Sequence, residues 1–241
     1  MGDVMSDKCE WIHEQLEQLP LLRYLFNLEN LPRNGIYFFY EDGEVSPHKP
    51  NQLRIVRIGT HKENNFRSRI AEHFLLNENK MNFDLSKSPP HDRSIFRKNI
   101  GRALLNRDND KYLDVWEKKL MSRENREKYR HLRNITKEKE VEGAVTDILR
   151  QKFMFRFLVI DDESLRMGQD GLEGKLIATV AQCGLCKPSP SWFGHSSPVA
   201  KIRDSGLWQV QHLDDEIIDE SSLPLILSAV QRTKKMECHR W

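Results

Sequence analysis

The sequence has no hydrophobic run approaching the ~20 residues that a membrane-spanning helix requires, so no membrane association is expected. It also lacks a basic start followed by an apolar stretch, which leaves no secretory signal and predicts a cytoplasmic, intracellular protein. Cysteine is scarce, with four in 241 residues. Apart from Cys183 and Cys186 they are scattered, which excludes a disulfide scaffold and suits reduced thiols. Cys183-Gly-Leu-Cys186 has the spacing of metal ligands, but no second pair stands at zinc-site distance along the chain. Internal repeats and low-complexity tracts are absent as well.

What remains is a chain with 31% charged and 38% hydrophobic residues. It is long enough for one large domain, or for a compact core carrying an insertion. The net charge is only +2, yet the charge is unevenly spread. Between Arg93 and Lys137 stand fourteen Lys and Arg against six acidic residues, an excess of eight, so the rest of the chain carries −6. Such a segment suits a polyanionic partner; the competing reading is a solvated helical face of mixed charge.

Apolar spacing predicts an amphipathic helix over 9–28. Pro32 and Asn34-Gly35 then launch a strand from Ile36 to Tyr40, whose β-branched and aromatic residues favour burial on both faces. A second strand follows over Leu53–Ile58 and a helix over Phe66–Leu76, with Phe66, Ile70 and Phe74 inward and Arg69 and His73 beside that stripe. Ser94 reads as the cap of a helix over Ile95–Asn106, with Lys98 and Arg102 facing outward. Charged helices fill 108–150, Phe153–Ile160 is a strand, and a helix starts near Asp170.

Two triplets stand out: Gly35-Ile36-Tyr37 and, about twenty residues on, Arg57-Ile58-Gly59. Ten residues later comes Arg69, and His73 one turn after it. This order resembles the GIY-YIG nuclease domain, with Arg57 where that family usually has a tyrosine. The resemblance implies an α/β (α+β) fold: a small antiparallel sheet of about three strands flanked by helices, with a helical insertion. Residues 1–34 then form an N-terminal helical extension. Residues 35–186 form the core, with the basic insertion at about 93–150, and 187–241 a C-terminal extension packed on it.

The resemblance also implies the chemistry, a metal-dependent cleavage of DNA phosphodiesters. Tyr37 matches the tyrosine of the first triplet; with a phenol pKa near 10, acting as a base requires a nearby cation or metal-bound water. Arg69 matches the arginine that meets the phosphate, a task suited to a planar, always-charged guanidinium. His73 falls at the family's Tyr/His position, where an imidazole of pKa near 6.5 could move a proton. Glu173 matches the metal-binding glutamate, and Mg2+ or Mn2+ can be held by a single carboxylate with water and phosphate. The competing role for Glu173 is structural, because Asp170-Gly-Leu-Glu173 has capping-box spacing. The family's asparagine after that glutamate has no counterpart; Ser191, His195 and Ser197 are the nearby polar substitutes. Arg57, Arg67, Arg97, Lys98 and Arg102 are the expected DNA contacts. The implied partner is double-stranded DNA, and a restriction-type enzyme would act as a homodimer. The alternatives are a non-catalytic nucleic-acid-binding module, a mobile-element or repair nuclease, and a protein-interaction domain.

Overall fold

The computed structural model describes residues 4–168 and 170–238; the Cys238 side chain and His239 lie outside that description. Four antiparallel strands form one sheet: β1 (Leu22–Arg23), β2 (Ile36–Val45), β3 (Leu53–Gly59) and β4 (Phe153–Leu158), in the order β1-β4-β2-β3. The helices are α1 (Val4–Glu17), α2 (Phe66–Phe74), α3 (Ile95–Arg107), α4 (Leu113–Trp116), α5 (Arg123–Lys128), α6 (Ile135–Lys152), α7 (Glu163–Arg166), α8 (Leu172–Ala181), α9 (Ala200–Ser205) and α10 (Ser222–Cys238). The mixed α/β class and the antiparallel sheet agree with the sequence pattern. The sheet gains a fourth strand because Pro20 follows the first helix, and Leu22 and Arg23 pair with Phe155 and Met154. The helix predicted over 9–28 accordingly ends at Glu17.

Central β2 is covered on both sides, and its alternation sorts the two cores. Ile36, Phe38 and Tyr40 pack with α1, α8 and α10 through residues such as Ile12, Leu16, Leu176, Ile177 and Val230. Tyr37 and Phe39 join Phe66, Phe74, Phe96, Val145 and Phe155 on the other side, under α2, α3 and α6. Each buried Phe or Leu here contributes about 1.5–3 kcal/mol by removal of apolar surface from water, so both layers hold β2 firmly.

Two glycines permit close approaches that any side chain would obstruct. A Cβ on Gly35 would lie 2.4 Å from the Leu158 carbonyl oxygen, and one on Gly59 would lie 2.4 Å from Tyr37 Oη. Gly59 pairs directly with Tyr37 across β2 and β3, so the tyrosine ring leans over it.

Candidate active site

The end of β3, the starts of α3 and α8, α2, and the 209–212 segment enclose a cleft of about 520 Å³. Tyr37, Arg57, Thr60, Arg69, Asn99, Glu173, Gln209 and His212 line it. Of the sequence-predicted catalytic residues, Tyr37, Arg69 and Glu173 are thus brought together across 136 positions of chain. His73 stands one layer behind them.

His73 is wholly buried, beside the rings of Phe39 and Phe96. Its Nε2 lies 3.2 Å from Tyr37 Oη, and its Nδ1 lies 2.8 Å from Ser94 Oγ. Ser94 Oγ also accepts the Arg97 backbone N–H, as the cap of α3. Burial pushes the His73 pKa well below its ordinary 6.5, and Arg69, Arg57 and Arg97 push in the same direction. The imidazole is therefore neutral. A neutral ring that donates from Nδ1 to Ser94 has its Nε2 lone pair available for the Tyr37 hydroxyl. The sequence places His73 at the edge of the apolar stripe; full burial corrects that, because the helix turns this residue onto Phe39 and Phe96.

Arg57 is buried, with its guanidinium donating to the Trp208 carbonyl and, at 3.2 Å, to Gln209 Oε1. It sits 5.0 Å over the Phe96 ring, and its Nε has no hydrogen-bond partner among the described residues. Burial lowers its pKa, with the neighbouring Tyr37 acting in the opposite direction. Arg69 is held in place by Glu72 at 3.2 Å and by the Arg93 carbonyl. Two guanidiniums therefore face the cleft from opposite elements.

Glu173 Oε1 accepts the Thr60 backbone N–H at 3.0 Å. Its pKa is raised chiefly by burial, with Thr60, His212 and Arg57 opposing. The capping-box reading does not describe this helix: Gly171 occupies the cap, Glu173 is the second helical residue, and no side-chain cap bond forms. Glu173 Oε2 makes no side-chain or backbone hydrogen bond among the described residues. A carboxylate with one oxygen anchored, beside a polar cleft, fits the single protein ligand that a hard divalent cation accepts.

The expected DNA contacts divide. Arg97 is wholly buried, bonded to Glu142 and Thr146 and to the His73 carbonyl. Burial alone would raise the Glu142 carboxyl, but Arg97 and His91 hold it at about 2. Lys98 is also buried, with Nζ on the Glu117 and Lys118 carbonyls and near Asp92. Arg102 is largely covered and clamped in two bonds by Glu117. Arg97 and Lys98 thus have no solvent face to offer a phosphate, contrary to the outward placement predicted for Lys98. Arg67 is tied to Glu29 and the Leu31 carbonyl, outside the cleft. Arg57 alone among the five lines it.

Ser191, His195 and Ser197 do not line the cleft either; Ser191 and His195 bond around Ser189, and Ser197 bonds Val199. The amides that do line it are Asn99, Gln209 and Gln211. Asn99 Oδ1 accepts from the Arg102 guanidinium, and Nδ2 is buried without a partner among the described residues. His212, also missed from sequence, holds Asp215 at 2.6 Å through Nδ1. Nothing in local spacing distinguishes these residues, since the tertiary fold alone brings them to the cleft.

Among the described residues no helix is long and apolar enough to cross a membrane. The GIY-YIG domain family model matches residues 6–236. Comparison with curated proteins and with solved structures returned no match.

Proposed function

The chain belongs to the GIY-YIG domain family, whose members have a nuclease-type function, and from that premise we propose a divalent-metal-dependent endonuclease of double-stranded DNA. The observation that carries this reading is the convergence of Tyr37, Arg57, Arg69 and Glu173 on one cleft. Glu173 would hold the metal, Mg2+ or Mn2+, which when bound supplies Lewis-acid polarisation of the phosphate. Arg69 and Arg57 stabilise the negative charge that grows on the phosphate oxygens as water attacks phosphorus. The Tyr37 oxygen accepts a hydrogen bond from the attacking water and aims it at phosphorus, and the water proton passes to a non-bridging phosphate oxygen. His73, neutral and buried, fixes the Tyr37 hydroxyl by accepting its hydrogen bond, and is a positioning residue more than a proton carrier. His212, oriented by Asp215, is the cleft imidazole positioned to donate to the leaving oxygen.

Duplex binding falls to the exposed cations of the basic segment, Lys111, Lys119, Arg123 and Lys128, whose first helix borders the cleft through Ile95 and Asn99. A restriction-type enzyme would cut both strands as a twofold dimer. Incubating the protein with assorted duplex DNAs, with Mg2+ or Mn2+ and with chelator, tests the reading. Metal-dependent ends mapped to fixed positions support it. DNA binding without any cleavage would favour a non-catalytic module, and absence of DNA binding at low salt would favour a protein-interaction domain.

A further inference from the structure

On the sheet face remote from this cleft, three thiols and two imidazoles from three separate segments meet. Cys9 and His13 lie one turn apart on α1, His48 lies in the β2–β3 loop, and Cys183 and Cys186 follow α8. One ligand atom from each of Cys9, His13, His48 and Cys186 falls within 4.8 Å of every other. Cys186 Sγ is 3.9 Å from His13 Nε2, and Cys183 Sγ is 3.6 Å from His48 Nε2. A zinc tetrahedron with Zn–S of about 2.3 Å and Zn–N of about 2.0–2.1 Å has ligand-to-ligand edges of roughly 3.3–3.8 Å. The side chains already stand near that spacing, although helix, loop and knuckle come from distant parts of the chain.

We propose that Cys9, His13, His48 and Cys186 bind a structural Zn2+, independently of the nuclease reading. His13 Nδ1 lies 2.9 Å from the Cys9 carbonyl and donates to it, which makes Nε2, now accepting a long 3.4 Å bond from the Ile55 backbone N–H, the ligand atom. Ligand histidines are characteristically oriented by such a carbonyl. Binding releases the two thiol protons. Two thiolates with two neutral imidazoles then balance the dication, so a neutral unit is buried; a third thiolate would leave a buried negative charge. Cys183 borders this set, with its Sγ 3.6 Å from His48 Nε2. The metal would clamp α1 and the β2–β3 loop to the C-terminal end of α8, the helix whose first turn carries Glu173.

The test uses the full chain purified without chelator. Elemental analysis and native mass spectrometry should find one zinc per chain, and X-ray absorption should find two sulfur and two nitrogen neighbours. Chelation should lower the melting temperature, with zinc readdition restoring it. His48→Asn, at a partly exposed loop position, should lose most of the zinc while remaining folded, which guards against Cys9→Ser and Cys186→Ser failing to fold. Wild-type protein that is zinc-free after purification and fails to bind added zinc would overturn the site, as would a Cys183–Cys186 disulfide in its place. Three sulfurs and one nitrogen would overturn the ligand set by putting Cys183 in place of an imidazole.

Discussion

The Thr60 backbone N–H donates to Glu173 Oε1 at 3.0 Å, tying the end of β3 to the first turn of α8. The bond orients one carboxylate oxygen and leaves the other for a ligand. A glutamine can accept the same N–H but cannot supply negative charge. Glu173→Gln should therefore fold and bind DNA almost normally, yet lose metal-dependent cleavage by orders of magnitude. Plasmid nicking beside a DNA-binding isotherm checks this, and full activity would remove Glu173 from the metal site. Because burial raises the Glu173 pKa in the metal-free protein, protons compete with the cation there, and the acid limb of cleavage should move to lower pH as the Mg2+ concentration rises.

Tyr37→Phe deletes one hydroxyl within an intact aromatic layer. It leaves His73 Nε2 without its partner, at a cost of about 1–3 kcal/mol, and should abolish most cleavage. The accompanying pH profile discriminates roles for His73. A neutral, buried imidazole predicts no activity limb near 6.5 that disappears in His73→Gln; such a limb would restore His73 as a proton carrier.

The basic segment contains two kinds of cation. Arg97→Ala strands Glu142 in the core and should cost about 3–5 kcal/mol of stability, read by denaturant unfolding. Lys119→Ala with Arg123→Ala should leave stability within about 0.5 kcal/mol per site. That pair should reduce the salt dependence of DNA binding by up to ~2 units of slope. An unchanged slope would locate the duplex on another surface.

Glu41 gives a pH dependence of opposite sign to that of His73. Its Oε2 accepts both the Trp192 and Trp208 indole N–H groups, and burial pushes its pKa up to about 7. A folded-state pKa above the unfolded value of 4.5 means that stability is fullest below 4.5. It declines as pH rises toward 7, by about 3 kcal/mol in all. His73, with its pKa lowered, instead costs stability as pH falls below about 6.5. Glu41→Gln should remove the first slope and keep the second, so the variant gains on wild type as pH rises from 5 to 8 in thermal melts. Parallel curves would contradict this assignment.

Much of the fold was legible because its signals are local. The aromatic alternation of Ile36–Tyr40 and the Ser94 cap each report on neighbours in sequence, and both elements formed where the pattern predicts. The meeting of Tyr37, Arg69 and Glu173 at one cleft was legible through a resemblance in spacing. Burial of Arg97 and Lys98 was not, since a basic residue in a helix reads as solvated until its acidic or carbonyl partners are known. Glu142 and Glu117 lie too far along the chain for that. Cys9, His13 and His48 escaped for the same reason: their company with Cys186 exists only after α1 has docked.

Gly59 has a consequence for how the two triplets should be read. The space its side chain would fill is taken by the Tyr37 hydroxyl, so the final residue of the second triplet is the mould and the final residue of the first is the cast. A methyl group added at position 59 would act as a lesion of Tyr37, tilting the phenol off His73 without replacing any titratable residue. The sequence separation between the triplets then measures only the length of a hairpin, while their chemical content is one contact written in two halves.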